Sequence, residues 1–360
     1  MEKDRSKRLA DIAAALVLIE ESGNLGASAA VAIATPTSRR RPVTTTAIAV
    51  IVTGILVGAV AWWAAQPAPP RVVRTEIVTA GDDALSINGP DRDLAITPDG
   101  SRIVYRGNNQ LLVRALDQLD PVVLKGLGAP RSIFVSPDGR WIGFFDGQAP
   151  LKKVAITGGP PVTITKNVGP SRGATWGPDD TIVYATASLD TGLFRVPAAG
   201  GESAVLTKPN REAGEGDHLW PEFLPSGRAV LFTILSPSGL DNAQIAVLDL
   251  AAGTYKVVVR GGHHAHYVPS GHLVYGANGT LRAVGFDLDR LEITGTSAPV
   301  LEAPNPAAPN SRSYDVSRDG KRFLFIKNSP APTSTGAQAS HSLVVVQGWF
   351  EELKRLVPVN

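Results

Sequence analysis

Thr97-Pro98-Asp99-Gly100 is followed by Arg102-Ile103-Val104-Tyr105, and the same phrase returns five times along the chain. Ser136-Pro137-Asp138-Gly139 precedes Trp141-Ile142-Gly143-Phe144, and Gly177-Pro178-Asp179-Asp180 precedes Ile182-Val183-Tyr184. Leu224-Pro225-Ser226-Gly227 leads to Val230-Leu231-Phe232, Val268-Pro269-Ser270-Gly271 to Leu273-Val274-Tyr275, and Ser317-Arg318-Asp319-Gly320 to Phe323-Leu324-Phe325. Proline presets φ for the first turn position, Asp or Ser suits the next, and glycine takes the left-handed conformation that closes a tight turn between antiparallel strands. Each turn is followed by a short apolar strand ending in an aromatic.

Successive turns lie about 40–50 residues apart, the period of a four-stranded propeller blade. Further strands follow each turn, for example Leu111–Ala115 and Val122–Lys125 after the first. One blade cannot bury both of its faces, so the units must close into a ring. The sequence therefore predicts an all-β fold, a six-bladed β-propeller of four-stranded blades over 72–350, with a tail at 351–360. The last blade has Tyr314–Ser317, Arg322–Lys327 and Leu343–Gln347 but lacks a fourth strand. Val73–Val78 is the segment expected to supply it.

Upstream, the chain changes character. Residues 1–24 read as a helix, with Leu9, Ile12, Leu16 and Ile19 at helical spacing and Gly23-Asn24 as a stop. Residues 25–42 are Ala-rich and then basic, a juxtamembrane linker ending near Arg39-Arg40-Arg41. Val43–Ala65 carries no charge over 23 residues, enough to cross a hydrocarbon core as a helix. Trp62 and Trp63 sit at its far end, where indoles favour the interface, and residues 66–71 form a Pro-rich linker. Three arginines precede the span and Arg71 and Arg74 follow it, which predicts a cytoplasmic N-terminus and an extracytoplasmic propeller on a single-pass protein of the inner membrane. Gly54 and Gly58 form a GxxxG pattern that permits close helix contact, so a homodimer through the span is one expectation.

The Pro-Asp-Gly blades resemble the WD-repeat-like, TolB-like propellers of bacterial envelope proteins. Leu219-Trp220-Pro221-Glu222-Phe223-Leu224, Tyr267-Val268-Pro269-Ser270-Gly271, Phe286-Asp287-Leu288-Asp289-Arg290-Leu291 and the tail Trp349-Phe350-Glu351-Glu352-Leu353-Lys354-Arg355-Leu356 resemble the extracytoplasmic sensor half of bacterial receptor-like serine/threonine protein kinases. Glu2-Lys3-Asp4-Arg5-Ser6-Lys7-Arg8-Leu9 is similar to the end of a kinase large lobe, with Arg8 at the position of its helix-packing arginine. The sequence contains no Gly-rich phosphate loop, His-Arg-Asp or Asp-Phe-Gly, so no kinase activity is expected of it. The resemblance implies the distal part of such a receptor, without its catalytic domain.

Composition narrows the chemistry. The net charge is +2 over 360 residues, and no nucleic-acid partner follows from that. With no cysteine there is no disulfide, no thiol nucleophile and no cysteine-held zinc. Gly169-Pro170-Ser171-Arg172-Gly173 fits the nucleophile-elbow pattern, but the strand Ala174-Thr175-Trp176 follows where a helix is required. His263, His264, His266 and His272 cluster without a carboxylate at motif spacing; they read as turn and strand-edge histidines rather than metal ligands. No cofactor is implied. Loops into innermost strands line one mouth of a propeller, which makes Asp217, His218, Trp220 and His264 the candidate ligand-facing residues. The expected function is a binding or sensor module for a small molecule, peptide or envelope protein, with a TolB-like scaffold as the alternative. A propeller hydrolase or lyase ranks below both, because no nucleophile, base and orienting acid come together in the sequence.

Overall fold

The computed structural model describes residues 72–79, 81–87, 93–148, 150–166, 168–302, 314–328 and 341–358, with a few single positions between 53 and 62. The helices and linkers expected over 1–71 lie outside the described residues, apart from Thr53, Gly54, Val57, Gly58, Trp62 and the expected span's single helical positions among them. No helix among the described residues is long and apolar enough to cross a membrane.

From Val73 the chain forms six four-stranded antiparallel sheets. The closing strand β1 (Val73–Val78) comes first. Blade 1 contains β2 (Leu94–Ile96), β3 (Arg102–Gly107), β4 (Gln110–Ala115) and β5 (Val122–Leu124), and blade 2 contains β6 (Pro130–Val135), β7 (Trp141–Asp146), β8 (Leu151–Ala155) and β9 (Val162–Thr165). Blade 3 is β10 (Ser171–Trp176), β11 (Thr181–Thr186), β12 (Leu193–Pro197) and β13 (Ala204–Val205); blade 4 is β14 (Asp217–Phe223), β15 (Ala229–Ser236), β16 (Gly239–Asp249) and β17 (Thr254–Arg260). Blade 5 is β18 (His263–Val268), β19 (His272–Ala277), β20 (Thr280–Asp287) and β21 (Glu292–Glu302); blade 6 adds β22 (Tyr314–Val316), β23 (Arg322–Asn328) and β24 (His341–Gln347). β1 pairs along its whole length with β24, from Val73 opposite Gln347 to Val78 opposite Ser342, and completes blade 6 as the sequence predicts.

The turns form for the reasons read in the sequence. All six close an i to i+3 backbone bond, such as Gly100 N–H to Thr97 O at 2.8 Å and Gly320 N–H to Ser317 O at 2.9 Å. In blades 1, 2 and 6 the first turn residue is Ser or Thr and adds a second lock. The Thr97 hydroxyl donates to Asp99 Oδ1 at 2.6 Å and accepts the Arg102 N–H at 3.0 Å. Ser136 and Ser317 repeat this with Asp138 and Asp319. Blade 3 departs: Asp180 holds φ 58 where the other turns have glycine, and its carboxylate accepts the Trp176 indole N–H at 3.1 Å.

The aromatic that ends each second strand explains the stacking. Tyr105, Phe144, Tyr184, Phe232 and Tyr275 are all buried, and each belongs to the hydrophobic cluster shared with the preceding blade. Phe325 packs in the same way between blades 5 and 6. Six clusters thus fill the six seams, and the core is a ring of wedges rather than one central mass. The C-terminal stretch read as the last propeller residues and a tail is partly a helix, α1 (Trp349–Leu356), whose Trp349, Phe350 and Leu353 are buried against blades 5 and 6.

Candidate functional site

In a propeller the innermost strand of each blade has one edge paired outward and one edge facing the axis. Its axial N–H and C=O groups have no strand to bond, and buried backbone groups need partners. Side chains from neighbouring blades supply some of them here. The Phe223 N–H donates to Thr175 Oγ1 at 3.2 Å, the Ile96 N–H to Asp315 Oδ2 at 2.8 Å, and the His264 N–H to Thr233 Oγ1 at 3.1 Å. Thr175 and Asp315 occupy the same register position, two residues before their turns. The other four residues there are Ala95, Phe134, Glu222 and His266.

Four consecutive blades, 3 to 6, make this tier polar, and the last three carry ionisable groups. His266 Nδ1 lies 3.1 Å from Glu222 Oε1, and its Nε2 lies 3.5 Å from Asp315 Oδ1. One imidazole thus faces a carboxylate on each side, and a protonated ring would donate to both. The opposite wall, Ala95 and Phe134, is apolar. Above the tier, at the mouth where the turns lie, is a cavity of about 90 Å³ to which all six inner strands contribute. Its polar lining includes Glu222, His266, Asp315 and Arg318, and its apolar lining includes Trp176 and Tyr267.

A second tier lies four residues before the turns. Ser132, Gly173, Trp220 and His264 all take positive φ there, and the pairing of β6, β10, β14 and β18 slips at that point. Such bulges re-aim side chains. They bring two of the four candidate residues together: the Trp220 and His264 rings stack with centroids 3.5 Å apart. His263 Nδ1 lies 2.8 Å from His264 Nδ1, and burial holds the His263 imidazole down to about 4, so it is neutral near pH 7.

The other two candidates lie elsewhere. His218 is completely buried in the seam between blades 3 and 4, on Phe232 and Tyr255. Its Nδ1 is 2.8 Å from Thr207 Oγ1 and its Nε2 is 3.0 Å from Glu215 Oε2. This is the connectivity of a hydroxyl–imidazole–carboxylate relay. However, the Thr207 hydroxyl is buried and already accepts the Leu193 N–H at 2.9 Å, so it presents no nucleophile to a substrate. Asp217 begins β14 and is also buried, with its Oδ1 accepting the His218 N–H at 2.8 Å.

The remaining sequence motifs are structural in form. Ser171 starts a strand, and its hydroxyl donates to Ser132 Oγ at 2.7 Å across the seam between blades 2 and 3. His272 is buried, with Nε2 2.5 Å from Val357 O just beyond α1. No group of three His, Cys, Asp or Glu side chains among the described residues is placed to hold a metal ion. Gly54 and Gly58 are helical and exposed. The sequence reading missed Asp315 and the pairing of Glu222 with His266. Counting two residues back from every turn would have found that tier.

No protein-family model matches the chain, and no curated protein matches it. Solved structures do. Oligogalacturonate lyase in complex with manganese is similar over 71% of this chain and 77% of its own, at 13% identity and a TM-score of 0.50. A TolB of Agrobacterium tumefaciens is similar over 64% and 87%, at 21% identity and 0.49. The Swd1 β-propeller domain of Myceliophteria thermophila is similar over 70% and 83%, at 13% identity and 0.47. At these identities the likeness is one of fold, and the strand order of the six sheets makes that fold a six-bladed β-propeller.

Proposed function

We propose that this chain is a non-catalytic, membrane-anchored propeller that docks another envelope protein at its turn mouth, a TolB-like scaffold. The observation that carries this is the convergence of all six inner strands on one mouth, where the Glu222–His266–Asp315 tier, exposed Arg318 and Tyr267 surround a cavity too small for a folded substrate. A protruding loop or chain end of a partner fits such a mouth, because a few fixed polar groups set its orientation while apolar walls supply contact. The charge-free run 43–65, with Arg39-Arg40-Arg41 before it, supports anchoring in the inner membrane with the propeller outside. A sensor role in a receptor-like kinase is a narrower form of the same binding function; it is supported by the sequence stretches quoted for that resemblance.

A photo-crosslinking residue placed at Arg318 in the full, membrane-embedded chain should yield a discrete protein adduct. The same residue at Leu119, 84% exposed on the outer rim, should not. Adducts at Leu119 but not at Arg318 would move the interaction surface away from the mouth and end this reading.

A further inference from the structure

We propose that the cavity at the turn mouth seats one primary ammonium group, the end of a lysine side chain on the docked partner, with Glu222 as its acceptor. This deepens the docking reading above and rests on it for the source of the lysine.

Size comes first. A cavity of about 90 Å³ has the liquid volume of about three waters at ~30 Å³ each, which admits the end of one side chain and no backbone. Behind the polar tier, Ser132, Trp220 and His264 are each at most 5% exposed, so the tier is reached from the turn side. Charge then selects the end group. Glu222 and Asp315 flank His266 at 3.1 and 3.5 Å. With both carboxylates ionised the three groups stay net negative whether the imidazole is neutral or protonated, so the tier attracts a cation in either form. The Asp315 side chain is 4% exposed and already accepts the Ile96 N–H at 2.8 Å, whereas the Glu222 side chain is 21% exposed. Glu222 is therefore the carboxylate that an incoming group reaches, and Asp315 acts through His266.

Apolar surface selects the stem. Phe134, Trp176 and Tyr267 line the same cavity with Pro137 and Pro225 of the turns, and methylenes bury against such surface while the charged end meets its partner. A lysine offers both, a flexible four-carbon stem and a compact point charge. A guanidinium is planar and broader and pairs best with two oxygens side by side, but Asp315 lies across the imidazole from Glu222. Arg318 is the one arginine or lysine among the described residues lining the cavity, and it is exposed. It repels an incoming ammonium and would attract a carboxylate, so it is the group whose removal separates the two kinds of ligand.

The probe is n-butylammonium, the end of a lysine without its backbone, titrated into the full chain at neutral pH and constant ionic strength. Histidine Cε1–H signals are followed by NMR, and the His266 signal is the one missing from His266→Gln. It should move saturably with butylammonium and stay in place with butyrate. Glu222→Gln, with the other histidine signals unmoved to report an intact fold, should weaken binding about tenfold or more, the loss expected for a hydrogen bond between charged groups. Arg318→Gln should bind as tightly as wild type or more tightly. A His266 signal that ignores butylammonium, or follows butyrate instead, overturns the proposal. So does unchanged affinity in Glu222→Gln or weakened affinity in Arg318→Gln. A protein adduct at Arg318 with a silent His266 signal sinks the ammonium seat and leaves docking standing; a saturable shift without any adduct supports the seat and ends the docking reading.

Discussion

Replacing Ile77 by alanine tests how the ring closes. β1 is exposed along most of its length, and Ile77 is its one buried residue, at 8% exposure. It packs in the seam between blades 6 and 1 with Leu85, Leu94, Leu324 and Leu343. The change removes three carbons, worth about 2.4 kcal/mol of transfer at about 0.8 each, and leaves a partly collapsible cavity at a rim. A loss of about 2–4 kcal/mol follows. Unfolding entropy is about 2.1 cal/mol/K per residue, so for the unit over 69–360 this shifts the midpoint by roughly 3–6 °C. Val78→Thr in the same strand, at a position 70% exposed, should stay within about 0.5 kcal/mol. Scanning calorimetry of the full chain separates the two. If Ile77→Ala melts together with Val78→Thr, β1 does not close the ring, and the topological argument fails.

Other consequences are equally direct. Gly227 has φ 71, and a Cβ there would lie 2.6 Å from the Pro178 ring of the preceding turn, so Gly227→Ala should cost about 1–3 kcal/mol in urea unfolding. Leu353 of α1 is fully buried and Leu356 is 39% exposed; Leu353→Ala should cost about 2–5 kcal/mol and Leu356→Ala under about 1. The Thr97 hydroxyl, then the Ser101 N–H, hold the Asp99 carboxyl down to about 2, so its contribution is present above 3.8 and lost as pH falls through about 2. Asp99→Asn should therefore flatten acid unfolding in that window, and an unchanged acid limb would count against the turn lock.

The fold was legible because proline and glycine act locally. Pro98, Pro137 and Pro225 with their following glycines determine their own backbone whatever the distant packing, and the aromatics at Tyr105 and Phe144 mark which face meets the next wedge. Counting strands in the last blade was enough to point to Val73–Val78. α1 was harder, since its Trp349, Phe350 and Leu353 stripe spans barely two turns and is decided by blades 5 and 6. The candidate site was only half legible. Asp217, His218 and Trp220 are neighbours in sequence, yet His218 turns into a seam while Trp220 stacks on His264 from the next blade. A non-glycine residue at positive φ, as at Trp220, carries no compositional sign, and it decides where the side chain goes.

The polar tier also limits what the mouth can do. Thr175 and Asp315 bond the inner strands of the following blades, so they serve ring closure before they can serve a ligand. His266 links blades 4, 5 and 6 through Glu222 and Asp315. Anything docking there competes with contacts between blades, and binding is coupled to how tightly those blades are held. Blades 1 and 2 place the apolar Ala95 and Phe134 in the same tier, while the Ile96 N–H of blade 1 bonds Asp315 Oδ2 at 2.8 Å. An occupant that draws on His266 would therefore act first on blades 4, 5 and 6, the last of which β1 completes. Through Asp315, a binding event at the axis has a physical route to the seam between blades 6 and 1, where the closing strand packs.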